Sequence, residues 1–404
     1  MTEPFSPLEG NAAERVAALT PDNPHLSSGR KPRLLIVGAG MMGREHLRVS
    51  QLLGWADVQG IVDPDRGSLE WACTDWRFLA DAPLTIYRDL SEACLNEAVD
   101  AIVIATPNHT HRDVLHAVSA SHKPVLLEKP MATTLADAMD IVSLARDYPA
   151  VIQLGMQYRF KAQYVDALQT VTAQSALGQV KTVAMSEYRP SFLDKVDQWN
   201  KFNRNSGGTL VEKCCHYFDL MNVVAQSRPR QVYASGGRAV NFLDFEWRGE
   251  QSDIDDHAMV IIDYHNGVRA SFTLNMFCQE LYEELVVVGE RGRLVASEQA
   301  SFQPDTSSKA ELLVEVPEHP AYRGVSVGYP DWIEASGHYG ATFFEHIAFN
   351  LQLTGQAVDA ATPGQALWSL IVASAAQHSM RTGREVDVGA FCDANGIRDF
   401  YEGR

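Results

Sequence analysis

Cysteine is scarce, positive charge is in deficit, and no hydrophobic run is long. Six cysteines are scattered over 404 residues, two of them adjacent at Cys214 and Cys215. That spacing gives neither a disulfide framework nor a paired zinc pattern, so reduced thiols and a cytoplasmic location are the expectation. Lys and Arg number 34 against 51 Asp and Glu, a net charge of -17. Such a surface repels phosphate backbones and anionic lipid, and neither a nucleic-acid nor a membrane partner is expected. The most apolar late stretch, LWSLIVASAA from Leu367, is too short to span a bilayer. Residues 1–31 carry acids, prolines and serines where a signal peptide needs a basic start and an apolar core, and they read as a loose arm.

What is present is globular. Hydrophobic residues make up 46% and charged residues 21%, and at roughly 150 residues per domain the length suits two or three domains. Short, continuously apolar runs at 33–37, 58–62, 100–105, 124–128 and 151–155 suit central parallel strands buried on both faces. Helix-length segments lie between them, which predicts a Rossmann-type doubly wound parallel sheet over residues 32–155. Beyond Phe160 the pattern turns to long strands in series. The run HAMVIIDY-HNG-VRASFTLNMF reads as a hairpin turned at Asn266-Gly267. Further strands at 284–289, 293–297 and 311–316 complete a large, open, mostly antiparallel sheet in a C-terminal α/β domain, residues 156–404. Its two late helices are free to pack back on the first domain.

Four motifs carry chemistry. Gly38-Ala39-Gly40-Met41-Met42-Gly43 follows the first strand and opens a helix, where glycines allow a tight turn and close approach of a pyrophosphate to the helix N-terminus. Asp63 ends the second strand twenty residues beyond Gly43. A carboxylate there binds ribose hydroxyls and repels a 2′-phosphate, so NAD is favoured, with nearby Arg66 keeping NADP as second choice. The run ATPNHTHRD follows the fourth strand, at the sheet edge where ligands bind, so Thr106, Pro107, Asn108 and His111 should border the cofactor. The same run also reads as a plain turn with a helix cap.

Glu128-Lys129-Pro130 ends the fifth strand at that same edge. A lysine beside a cationic nicotinamide would have its pKa lowered towards catalytic use. In SGGTLVEKCCHYFDLM, Glu212 and His216 are four residues apart, hence on one helix face, with the carboxylate placed to orient a neutral histidine base. Cys214, Cys215 and His216 point about 100° apart on a helix and cannot all face one ion, so no metal is expected.

GAGMMG, TPNHTH, LLEKP and the GG-x-L-x-E-x-x-x-H helix, in this order, resemble the Gfo/Idh/MocA oxidoreductases over residues 33–390. The resemblance implies reversible NAD(P)-linked oxidation of a sugar, cyclitol or glycoside hydroxyl by a homo-oligomer, dimer or tetramer. It implies that Lys129 and His216 are the catalytic lysine and histidine, and that Tyr158 and Arg159 of MQYRF contact substrate. The family more often has Asp where this chain has Glu212. Relatives in the same scaffold use retained NAD for net glycoside hydrolysis, which is the alternative activity. The segment 188–208, with Trp199, Lys201 and Arg204, reads either as a binding surface for a large or anionic glycoside or as a solvated loop. A non-catalytic NAD sensor is the third reading, disfavoured because both the lysine and the histidine are present.

Overall fold

The computed structural model describes residues 20–26, 29–301, 308–317 and 325–403. Most of the expected arm, 1–31, lies outside the described residues. Six strands form a parallel sheet in the order β3-β2-β1-β4-β5-β6: β1 (Arg33–Val37), β2 (Asp57–Val62), β3 (Ile86–Tyr87), β4 (Ala101–Ile104), β5 (Val125–Glu128) and β6 (Ile152–Gly155). The reversal of order between β1 and β4 opens a crevice at the strand carboxyl ends, the general ligand position of such sheets. β1, β4 and β5 are buried almost throughout, as strands covered by helices on both faces must be.

Two helices follow β1 and β2: α1 (Met41–Leu53) and α2 (Arg66–Trp76). α1 has Gly40 at its N-cap with no side-chain cap and no acidic residue in its first turn. Its first N–H groups are thus left for another partner.

The second half builds a nine-stranded sheet. β7 (Val180–Tyr188) lies at its centre, parallel to β12 (Arg269–Asn275) and antiparallel to β13 (Leu281–Gly289). Also in this half are β8 (Pro229–Gly237), the small hairpin β9 (Glu246–Trp247) and β10 (Glu250–Gln251), β11 (His257–Tyr264), β14 (Gly292–Ala300), β15 (Lys309–Glu315), β16 (Val325–Ser326) and β17 (Val386–Asp387). The hairpin at Asn266-Gly267 joins β11 to β12, with Gly267 at φ +91°. Along β12 and just beyond, Ala270, Phe272, Leu274 and Met276 are buried, giving a core face every second residue.

α3 (Cys215–Ala225) and α5 (Pro363–Thr382) cover this sheet, while α4 (Ala341–Leu353) returns to the first half and packs on α1. That contact contains a buried polar chain. His346 on α4 lies 2.8 Å from His46 on α1, and His46 Nε2 lies 3.0 Å from Glu128 Oε1 at the end of β5. No helix among the described residues is long and apolar enough to cross a membrane.

Candidate active site

The glycines of the first turn do different jobs. Gly38 has φ +103°, and a Cβ there would lie 2.5 Å from the Ala105 carbonyl oxygen. A Cβ on Gly43 would collide with the Gly38 carbonyl, whereas one on Gly40 would meet nothing within 4 Å. Gly38 and Gly43 therefore let backbone pack on backbone, and Gly40 leaves the uncapped end of α1 open. Asp63 at the end of β2 accepts the Ala39 N–H at 2.6 Å and the Asp65 N–H at 2.7 Å. A carboxylate has about four acceptor positions, so Asp63 ties down the turn and keeps capacity for a diol.

A cavity of about 740 Å³ begins at this turn. Gly40, Met41, Met42 and Asp63 line one end; Thr106, Pro107 and Asn108 flank it; Glu128, Lys129 and Glu212 lie at the other, with Lys195 and Trp199 also in its wall. An open helix N-terminus, a carboxylate at the end of β2 and a cavity of this size fit a dinucleotide. Gly38, Gly43 and His111 do not line it. His111 is buried with its ring nitrogens 2.8 Å from Pro130 O and 2.9 Å from Thr106 O, so it staples the loops after β4 and β5 together.

The expected Glu212-to-His216 geometry is not what the chain adopts. The helix breaks after a short turn, Thr209–Glu212, and restarts at Cys215 with Cys214 as its N-cap. Glu212 and His216 thus lie on separate helical segments, and the hydrogen-bond partners of the Glu212 carboxylate are Asn108 and Lys195 rather than the imidazole. The break releases the Glu212 carbonyl, and Lys129 Nζ takes it at 3.4 Å. The Glu212 side chain turns instead to Lys195 at 3.2 Å and to the Asn108 amide. Burial raises its pKa, but Lys195, Lys129 and Asn108 together outweigh burial and hold it down to about 2.

Lys129 also departs from expectation. Burial favours its neutral form, yet the carboxylates of Glu212 and Glu128 contribute to a net rise above the usual lysine value. It stands as a fixed cation. His216 is 1% exposed and does not line the cavity. Burial first, then the neighbouring Lys129 and Lys213 ammoniums, push its pKa well below the usual histidine value, so the ring is neutral. Cys214 and Cys215 are buried free thiols packed in the core.

Of the residues expected to contact substrate, Lys129 and Trp199 reach the cavity. Arg159 does not: it is buried in a bidentate pair with Asp219, both contacts at 2.7 Å, and also donates to Gln365. Lys201 is fully buried and donates to the Phe192 and Leu193 carbonyls. Arg204 pairs with Glu250 away from the cavity. Tyr158 is 4% exposed and stacks on His216. The basic surface expected of segment 188–208 is thus spent on internal partners. Leaving out Asp63 and Arg44 of the dinucleotide end, the lining cations Lys129 and Lys195 are outnumbered by Glu128, Asp194, Asp197 and Glu212, which gives an anionic glycoside no support. Lys195 was the missed residue. One charge in a mixed segment carries no signal until the fold sets it against Glu212.

Residues 33–156 match a family described as an oxidoreductase family with an NAD-binding Rossmann fold, and residues 172–388 match its C-terminal alpha/beta domain. The rhizopine catabolism protein MocA of Rhizobium meliloti is 27% identical over 197 residues, 49% of this chain and 58% of that protein. The inositol 2-dehydrogenase of Leifsonia xyli subsp. xyli is 29% identical over 248 residues, 60% of this chain and 66% of that protein. The chain therefore spans less than two thirds of the length of either relative. A solved structure of a putative myo-inositol dehydrogenase from Sinorhizobium meliloti 1021 shares the fold, with TM-score 0.69 and 19% identity over 89% of this chain and 100% of that one.

Proposed function

The chain belongs to the Gfo/Idh/MocA oxidoreductase family, and from that premise we propose that it transfers a hydride between NAD and a secondary hydroxyl of a neutral sugar or cyclitol. The observation that carries this reading is the single cavity that joins the open N-terminus of α1 to the Lys129 ammonium. Gly40, Met41, Met42 and Asp63 would hold the dinucleotide, with Asp63 accepting from the ribose and disfavouring a 2′-phosphate. When bound, the nicotinamide accepts a hydride from the carbinol carbon.

The protein handles the proton and the charge. Lys129 remains charged and donates to the substrate oxygen, opposing the negative charge that grows there as the O–H bond breaks. His216, outside the cavity lining yet close enough to the Lys129 end for that ammonium to depress its pKa, is the neutral base we assign to the hydroxyl proton as the C=O bond forms. Glu212, ionised to about pH 2, is too weak a base for that step and anchors Lys195 and Asn108 instead. The acid-rich lining favours an uncharged polyol. The inositol 2-dehydrogenase relative supports the same substrate class.

The test is a panel of neutral sugars and cyclitols with NAD, following NADH absorbance, on the parent, Lys129→Met and His216→Ala. Each variant should lose at least about a hundredfold in kcat while keeping NAD affinity. Full turnover in either variant would remove that residue's role.

A further inference from the structure

Tyr158 lies face to face on His216, ring centroids 4.0 Å apart and planes 7° from parallel. Its hydroxyl accepts from Lys213 at 2.6 Å, and Lys213 is itself 3.1 Å from Glu187. The Lys161 ammonium lies 4.4 Å from the centre of the same ring and is anchored on Glu283 at 2.7 Å. The tyrosine ring is therefore gripped from two sides by charges that cannot leave, since Lys161 and Glu283 are both fully buried. His216, by contrast, has no such fixing. Among the described residues its Nδ1 has no hydrogen-bond partner, and the Glu212 carboxylate is engaged by Lys195 and Asn108 instead.

Histidine bases are ordinarily oriented by a hydrogen bond to the ring nitrogen that does not react. We infer that in this protein the orientation comes from stacking: Tyr158 is a positioning residue whose ring fixes the plane of His216. The inference rests on His216 acting as the proton acceptor. It also gives Tyr158 a second effect. The ring fills the space beside the imidazole and keeps water out, so burial itself, and then Lys129 and Lys213 acting through a dry medium, keep His216 neutral.

Tyr158→Leu and Tyr158→Met remove the flat face, and the second serves if the first does not fold. Tyr158→Phe keeps the face and loses only the hydroxyl. In the Leu or Met variant kcat should fall about ten- to a hundredfold through misorientation, with KM within about twofold of the parent and NAD affinity unchanged. The pH profile of kcat should gain an acid limb near the ordinary histidine value of about 6.5, absent from the parent. Tyr158→Phe should recover kcat to within about threefold of the parent. A raised KM at unchanged kcat would make Tyr158 a substrate contact, and parent-like kcat in both Leu and Met variants would remove the positioning role. Absence of the acid limb would overturn the second effect. His216→Ala run alongside separates the two levels: if it keeps turnover, the proton-acceptor assignment itself is wrong. If it is inactive while the Leu and Met variants are normal, only the stacking inference falls.

Discussion

Lys195 Nζ sits 3.2 Å from Glu212 Oε1 and 4.5 Å from the centre of the Trp199 ring, so a segment of the second half is pinned to the wall of the cavity. Glu212 is buried, and removing its foremost cationic partner leaves a carboxylate held by Asn108 and Lys129. Its pKa should then climb from about 2 towards the ordinary carboxylate range. The sign follows: a carboxylate with a depressed folded-state pKa stabilises above its unfolded value and loses that contribution as pH falls towards the folded one. Lys195→Met should therefore destabilise by about 1–3 kcal/mol at pH 7 and progressively less from pH 4.5 downwards. Denaturant unfolding at pH 7 and pH 3.5 measures both. An equal loss at the two pH values would mean that the ion pair is not the cause.

Arg159 and Asp219 form the other pair that sequence reading misplaces. Both side chains are almost fully buried, so the guanidinium is held by protein rather than offered to substrate. Arg159→Met should cost about 3–5 kcal/mol by stranding a buried carboxylate. The double variant Arg159→Met with Asp219→Leu should regain much of that loss, because two apolar groups replace two charges. In any variant that folds, KM for substrate should stay within about twofold of the parent. A large KM rise with unchanged stability would restore Arg159 as a substrate contact.

Such pairs mark the limit of what the chain's text discloses. The Rossmann sheet is legible because strands buried on both faces must be apolar throughout, and GAGMMG must be small where Gly38 meets Ala105. The second sheet is legible from the alternation at Ala270, Phe272 and Leu274. The broken helix is not, for Lys213, Cys214 and Cys215 contain neither glycine nor proline, and the Glu212 carbonyl at the break is met by Lys129 from a distant strand end. Arg159 finds its partner sixty residues along the chain. A charge that is paired across that distance reads in sequence like one that is free.

Asp63 bears on cofactor choice. Its two oxygens already accept the Ala39 and Asp65 N–H groups, so Asp63→Asn keeps the shape and one acceptor while removing the charge. NAD affinity should fall about ten- to a hundredfold, the worth of a hydrogen bond to a charged group. NADP affinity should hold or rise, since the repulsion of a 2′-phosphate is gone. Fluorescence titration with NADH and NADPH reads the two constants directly. Parallel losses for both cofactors would show that Asp63 acts only through the turn.

Glu345 on α4 is buried, and among the described residues neither of its carboxylate oxygens has a hydrogen-bond partner. Burial, reinforced by Glu128 and Glu45, pushes its pKa well above the usual carboxylate value. A raised folded-state pKa means that the folded chain holds a proton the unfolded chain has lost. Stability then declines as pH rises above the unfolded value of about 4.3, by up to roughly 1.4 kcal/mol per pH unit until the folded group ionises. Glu345→Gln keeps the volume and removes the titration. Near pH 4 the variant should match the parent closely, whereas at pH 8 it should be the more stable protein, with a gap that widens steadily between. Unfolding free energies at four pH values over that range give the slope. A gap that stays constant with pH would mean that Glu345 is not held protonated, and the buried carboxylates around Glu128 would need another source of compensation.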